Sequence, residues 1–335
     1  MASMDTIATR LVVALLLLGG CSDDGATTDG PPADLGVDAS AADVGTDTMT
    51  DATPDLASPD ALPDTGPVDG PRPDTPPTTG LLRVATFNCY CLKDSPATRA
   101  KGIAEQIKQL DPHVVGLQEV CQSLSSGGSD NFAKTLTVEL QALTGKAWEF
   151  KFAKTHVSWS AYDEGVGLLA PAGQLLASGE QSLPQGAGPF PRKVIWAKVG
   201  TSGGPFYFYS THLTISSNAQ DRENQAQAIV ALASQHATTL PQVVVGDFND
   251  WYGSGAVNAM KSGPPAFTDS WGTKNPGSVN PGLTCCYPNF GSRIDYVFVK
   301  TSALSLLDKV ELAFDAPYQG VQLSDHRGIF VQFKP

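Results

Sequence analysis

Residues 80 to 335 read as an α/β fold with parallel strand pairs. Short, wholly apolar runs stop on a polar side chain, helix-period segments separate them, and this strand, helix, strand order occurs twice. In the first unit Val84 to Asn88 is a strand, Ile103, Ile107 and Leu110 recur at helical spacing, and Val114 to Glu119 is the second strand. Such a βαβ unit makes its strands parallel and puts Asn88 and Glu119 side by side at their carboxyl edge, where sites form in open α/β sheets. In the second unit Phe206 to His212 is strand-like. Asp221 to His236 is helical, with Ala226, Ile229, Val230 and Ala233 on one side, and Val243 to Asn249 is a buried strand running into polar groups.

The residues that close these runs form a chemical set. Asn88, Glu119, His212, Asp247, Asn249, Asp295, Asp325 and His326 each sit at or just past a strand-like stretch. Any one of them alone is more simply a turn residue or cap. Together they supply oxygen ligands for a hard cation, a base for water, and imidazoles for charge on a phosphoryl oxygen.

The local motifs resemble those of the endonuclease/exonuclease/phosphatase superfamily: Thr86-Phe-Asn88, Leu117-Gln-Glu119, Thr211-His-Leu213, Gly246-Asp-Phe-Asn249, Arg293-Ile-Asp-Tyr296 and Ser324-Asp-His326, in that order. The resemblance covers roughly residues 81 to 334. It implies a four-layer α/β sandwich, two facing mixed β-sheets flanked by helices, with the site at one end of the sheets. It further implies Glu119 as principal Mg2+ ligand (Mn2+ as substitute), supported by Asn88 and Asp325. Asp247 would orient or deprotonate the attacking water, and Asn249 would steady the phosphate. His326, held by Asp295, would contact a phosphoryl oxygen or share in proton transfer, and His212 would be a second phosphate contact or the acid for the leaving oxygen. Tyr162 lies near a position where some members place a phosphate-binding tyrosine, and Arg222 and Gln225 match a helix pattern of bacterial members. For Arg222 a surface salt bridge is the competing reading. Asp163 to Leu169 resembles the family's glycine-rich strand, but Ala170-Pro171 replaces the serine and basic residue that commonly follow.

Residues 1 to 21 read as a lipoprotein signal. Arg10 precedes the apolar run Leu11 to Leu18, too short to span a membrane, and Leu18-Gly-Gly-Cys21 resembles a bacterial lipobox, which implies lipidation of Cys21 and a place in the cell envelope. Ser22 after the cysteine favours the outer membrane. Residues 22 to 79 are rich in Asp, Pro and Thr, lack aromatic residues, and read as a disordered linker. As a flexible chain such a linker would span roughly 40 Å, and like charge extends it further. It holds thirteen Asp against Arg72, whereas residues 80 to 335 carry 20 acidic and 20 basic residues. The acidity of the whole chain, −12, therefore belongs to the linker, and the catalytic region has no charge excess of the kind that dominates non-specific DNA binding.

Cys89 and Cys91 follow Asn88, and Cys121 follows Glu119, so a bridge there would brace the metal site; with Cys285 and Cys286 the count after Cys21 is odd. His113, His156 and His236 read as surface or loop residues. Trp159, Tyr162, Trp251 and Tyr252 fall in predicted loops, able to stack on a base, dip into a lipid interface or simply pack the loop. The expected activity is a monomeric, extracytoplasmic Mg2+ phosphodiesterase acting on nucleic acid or a phospholipid headgroup, with nucleic acid slightly ahead. The alternatives are an inositol-phosphate-type phosphomonoesterase and a non-catalytic binding module.

Overall fold

In the computed structural model, which describes residues 82–90, 94–237, 239–276 and 281–334, strand β1 (Arg83–Asn88) sends Val84 to one side and Ala85 and Phe87 to the other. That period of two fixes the layers. Val84 belongs to a central core between two sheets, and Ala85 and Phe87 belong to an outer core under helices.

The chain continues through α1 (Pro96–Leu110), β2 (Val114–Ser123), α2 (Phe132–Thr144), β3 (Trp148–Ser158), β4 (Tyr162–Pro171), β5 (Leu175–Ser182), β6 (Lys193–Val199) and β7 (Phe206–His212). It then forms α3 (Ala219–Gln235), β8 (Gln242–Asp247), α4 (Gly255–Ser262), β9 (Phe267–Asp269), α5 (Ser270–Lys274), β10 (Asp295–Lys300), β11 (Leu307–Ala313) and β12 (Gly328–Phe333). One six-stranded sheet has the order β11-β12-β1-β2-β4-β3 and the other β5-β6-β7-β8-β10-β9. The pairs β1–β2 and β7–β8 are parallel, as a βαβ connection requires, and the remaining pairs are antiparallel. This is the four-layer sandwich the motifs imply.

Helix α1 buries Ile103 and Ile107 against the first sheet, each contributing about 2–3 kcal/mol of apolar transfer. Helix α3 buries Ala226, Ile229, Val230 and Ala233 against the second. Val243, Val244 and Val245 of β8 alternate between the central and outer cores, which explains a run that is apolar throughout. Between the two sheets stands Gly116, whose missing Cβ would run into Val245 and Ser210 of the facing sheet. Gln118 spans the same gap, its amide donating to Ser210 Oγ at 3.1 Å and Thr86 Oγ1 at 3.2 Å.

Every described residue lies in the compact unit 73–335, and that unit holds all three cores, so it has what it needs to fold without the preceding chain. The signal segment, Cys21, the linker and Cys91 lie outside the described residues. Cys89 takes no part in a bridge. It is a free, buried thiol that burial pushes up to about 12, whereas Cys121 is disulfide-bonded and Cys285 is bridged to its neighbour Cys286. His156 is not at the surface; it is buried on β3, with Ser158 Oγ 3.0 Å from its Nε2 and Phe190 stacked on its ring.

Candidate active site

Strand register assembles the site. In the second sheet His212 pairs with Asp247 across β7–β8, and Asp295 pairs with Asp247 across β10–β8, so a histidine and two aspartates form one rung at the ends of three central strands. In the first sheet Asn88 ends β1 beside Gln118. The next residue, Glu119, sits in a bulge where Leu117 and Val120 of β2 span only the step from Gly167 to Gly165 on β4. Its φ of 50° is left-handed, a conformation that costs a non-glycine residue on the order of 1 kcal/mol and is found at sites where a bulge re-aims a side chain.

The side chains meet around Asp247. Asn88 Nδ2 donates to Glu119 Oε1 and to Asp247 Oδ2, both at 3.1 Å, and so ties the two sheets together. Asp247 Oδ2 lies 3.6 Å from His212 Nε2 and 3.8 Å from His326 Nε2. The opposite ring nitrogen of His326 is 2.8 Å from Asp295 Oδ2. Asn249, at φ 48°, donates its backbone N–H to Asp247 Oδ1 at 2.8 Å and its side-chain amide to the Leu213 carbonyl at 3.0 Å, which joins the β7 and β8 strand ends. Asp325 precedes His326 and accepts from Ser324 Oγ at 3.3 Å.

Burial and crowding of like charges set the protonation states. Burial, with Glu164 adding to it, pushes Glu119 up to about 7, and burial together with Asp295 pushes Asp247 up to about 6. The two imidazoles part company. Burial opposes charge on His326, yet Asp295, by its charge and its hydrogen bond, holds that ring well above the usual imidazole range. Burial, then Arg192 and His326, hold His212 well below it. The site therefore favours charge on one imidazole and disfavours it on the other.

Two groups at this site escaped the sequence reading. Arg192 stands just before β6, is almost fully buried, has an Nε without a partner, and faces Glu119, Glu164 and Asp247. A buried guanidinium with a free N–H among carboxylates is suited to a phosphoryl oxygen. Glu164 follows Tyr162 by two residues on β4, accepts from Ser158 Oγ, and adds its charge to the field at Glu119. The signal for Arg192 is the Val194 to Thr211 register, which carries it past His212; that register is invisible before strands are paired.

Two expected contacts are placed elsewhere. Arg222 forms an ion pair with buried Asp250 at 3.0 Å and donates to the Ser216 carbonyl, so it fastens two loops together instead of facing the site. Tyr162 opens β4, not a loop, and pairs with Ser123, four residues beyond Glu119 or roughly 13 Å along the strand. Gln225 packs as an amide, accepting from Thr214 N–H and donating to the Pro184 carbonyl.

The donor set fits a hard divalent cation. Glu119, Glu164, Asp247, Asp295 and Asp325 surround a centre whose positive groups are Arg99, Arg192 and His326. Carboxylates forced upward in pKa by their own crowding call for a compensating cation with oxygen ligands. A two-sheet sandwich with such a centre at its strand ends defines a metal-dependent phosphoester hydrolase. The sequence profile of the Endonuclease/Exonuclease/phosphatase family matches residues 85–326, and the chain belongs to that family. No curated protein matches it. Among solved structures it is similar to an endonuclease/exonuclease/phosphatase family protein from Leptotrichia buccalis C-1013-b, with TM-score 0.63 and 20% identity over 76% of this chain and 100% of that one. It is also similar to D. rerio TDP2 complexed with single-strand DNA product, with TM-score 0.59 and 20% identity over 77% of this chain and 100% of that one. A third is the Bacteroides thetaiotaomicron mannosyl-6-phosphatase, with TM-score 0.56 and 20% identity over 75% of this chain and 98% of that one.

Proposed function

We propose that the chain is an extracytoplasmic, magnesium-dependent phosphodiesterase, monomeric and anchored to the bacterial outer membrane through lipid on Cys21. Its substrate class is a nucleic acid or a phospholipid headgroup ester. The observation that carries the diester reading is the charge balance of the site. Five carboxylates face Arg99, Arg192 and His326, a deficit of two positive charges if all are ionised. One divalent cation brings that to neutrality, and a monoanionic diester then suits the site better than a dianionic monoester.

Glu119, with Asn88 and Asp325, would hold the cation, which when bound supplies a Lewis acid for a phosphoryl oxygen. Asp247, raised toward neutrality and tethered by the Asn249 N–H, takes a proton from the attacking water. The water oxygen adds to phosphorus and one ester P–O bond breaks. His326, kept protonated by Asp295, gives its proton to the departing oxygen, so the products are a phosphomonoester and an alcohol. We assign this acid role to His326 in preference to His212, because burial and Arg192 disfavour a proton-charged His212 ring. Arg192 steadies the developing charge.

The test assays residues 73–335 with and without chelator on DNA, RNA, phospholipid, an inositol monophosphate and a bis-aryl phosphate. An inositol monoester turned over tenfold faster than every diester would replace this reading with the phosphomonoesterase one. Failure of the full-length chain to incorporate labelled fatty acid at Cys21 would remove the anchor from it.

A further inference from the structure

Exposed apolar side chains are distributed very unevenly over this molecule. Of the twelve large ones exposed among the described residues, only Val138, Leu176 and Leu306 lie away from the catalytic end of the sandwich. Every exposed aromatic ring is at that end. Trp159 is on the β3–β4 turn, whose Tyr162 pairs with Ser123 beyond Glu119. Phe190 is on the β5–β6 loop past His212, and Trp251 and Tyr252 follow Asp247 on the β8–α4 loop. Tyr287 is on a segment whose N–H bonds to the Asp325 carbonyl at 2.8 Å. Trp251 is 66% exposed and Trp159 56%, values that rule out their being core residues seen at an edge. Exposed aromatic rings gathered at one end of a molecule mark an interaction site.

Charge decides what the partner is. The loops 159–161, 183–192, 213–218, 248–254 and 281–294, apart from the rings, hold mainly Ser, Gly, Pro, Asn, Thr and Leu. Their basic residues are Arg192, which is buried, and Arg293, which is ion-paired with Asp269 at 2.9 Å. A polyanion needs exposed cations along its track, because released counterions supply most of its affinity, and aromatic stacking on single strands works inside a cationic groove. This rim offers the rings without the groove. Among the described residues the other cations of this end are already engaged: Lys261 lies over the Tyr252 ring at 4.5 Å, Lys154 pairs with Asp163 and Lys193 with Glu180 at 2.6 Å each, and Arg327 pairs with Asp315 at 2.8 Å. Amphipathic rings among small uncharged polar residues, with the described cations held by carboxylates or rings, match the headgroup region of an electrically neutral bilayer, where Trp and Tyr seat their polar edges.

The geometry points to the loop rim around Asp247 as a docking surface for a zwitterionic phospholipid bilayer. Its consequence for catalysis rests on the phosphodiesterase reading above: with the rim seated among headgroups, the phosphodiester presented to Asp247 is that of a phospholipid, which reverses the slight preference for nucleic acid drawn from the sequence. Trp159 and Trp251, on different loops from different sheets, would enter the interface together.

Residues 73–335 are mixed with phosphatidylcholine vesicles and separated by sedimentation, for the parent and for the Trp159→Ala/Trp251→Ala variant, with thermal melting as the check of folding. The expected result is sedimentation of the parent with neutral vesicles and at least tenfold weaker partitioning of the variant at an unchanged melting temperature. A parent that ignores neutral vesicles, or a folded variant that binds them equally well, overturns the proposal. So does tighter binding of a single-stranded oligonucleotide than of vesicles, read from tryptophan fluorescence. A concentration-dependent dimer that protects both tryptophans from quenching would assign the rim to a second copy of the chain. Turnover of a soluble bis-aryl phosphate is measured beside these. Vesicle binding without turnover would sink the hydrolase reading alone, and turnover without vesicle binding would sink the docking surface alone.

Discussion

The two ends of the sandwich are made by the same strands and obey opposite rules. At the far end Phe206 opens β7, Val243 follows the first residue of β8, and Leu82, Val299 and Phe333 join them around a small apolar cavity of about 60 Å³. At the near end the same strands terminate in His212, Asp247 and Asn88, packed where several carboxylates repel one another. Left-handed non-glycine residues gather at the catalytic end, among them Glu119, Trp159, Ser160 and Asn249, although Asp111, beside Arg83, takes the same conformation at the far end. The far end is built for stability, and the near end retains desolvated charge and strained backbone because the chemistry uses them. The difference can be broken residue by residue.

The largest effect is expected at Asp247. Asp247→Asn keeps the shape and the hydrogen-bonding oxygen but removes the base, so kcat should fall by about 10³ or more. Its melting temperature should hold or rise, because a carboxylate whose pKa is raised to about 6 is one the fold makes costly to ionise. The same shift fixes the pH profile. The folded value lies above the ordinary carboxylate value of 3.8, so protonated Asp247 accumulates as pH falls through about 6, and kcat/KM should decline there rather than near pH 4. A variant that loses activity and stability together would mean that Asp247 is structural. A flat rate down to pH 5 would mean that another group is the base.

Next come Asp295 and His326, joined by a 2.8 Å hydrogen bond. If the carboxylate fixes the ring's orientation and charge, Asp295→Asn and His326→Ala should each lower kcat by about 10²–10⁴, and the double variant should be little worse than the poorer single one. Multiplying losses would show two independent roles. His212→Ala should cost less than His326→Ala, since burial and Arg192 disfavour charge on the His212 ring.

Much of this end was legible before folding because its residues close apolar runs. An amide or carboxylate within two residues of the end of Val84 to Phe87, Val114 to Leu117 or Val243 to Val245 has to appear where the strand leaves the core. The helix faces were legible for the same reason: Ile103, Ile107, Ile229 and Ala233 recur at the helical period and are buried as that period requires. What could not be read depends on pairing across the sheets. Arg192 reaches the centre through the β6–β7 register, Glu119 is turned by a bulge against β4, and Arg222 is consumed by Asp250, which is 28 residues away in sequence. His156 was misplaced because a histidine amid Lys, Thr, Val and Ser looks exposed, whereas Phe190 from another hairpin covers it. The opposite pKa shifts of His212 and His326 follow from burial, Asp295 and Arg192, which meet only in the folded chain.

The far end should respond in the opposite sense. Phe206→Ala removes a buried ring beside an existing cavity, so neighbouring side chains have little to collapse against, and the loss should be about 3–5 kcal/mol, or roughly 10 °C in Tm. Below that melting point kcat should stay within about twofold of the parent, because β7 remains paired on both sides between Phe206 and His212. A variant whose kcat falls in step with its stability would show that the ends are not separable.

The smallest effect is expected at Tyr162. The family resemblance makes it a phosphate contact, but its pairing with Ser123 carries it four residues past Glu119, beside Cys121 and Gln122 and near the start of α2. Tyr162→Phe removes only the hydroxyl, so if the register governs, KM and kcat should each change by less than about threefold, under ~0.7 kcal/mol of transition-state stabilisation. A drop of tenfold or more in kcat/KM, with Tm unchanged, would show that the hydroxyl reaches the bound phosphate. The division between the ends would then have to be redrawn, with the catalytic surface running along β4 past Glu164 instead of closing around Asp247.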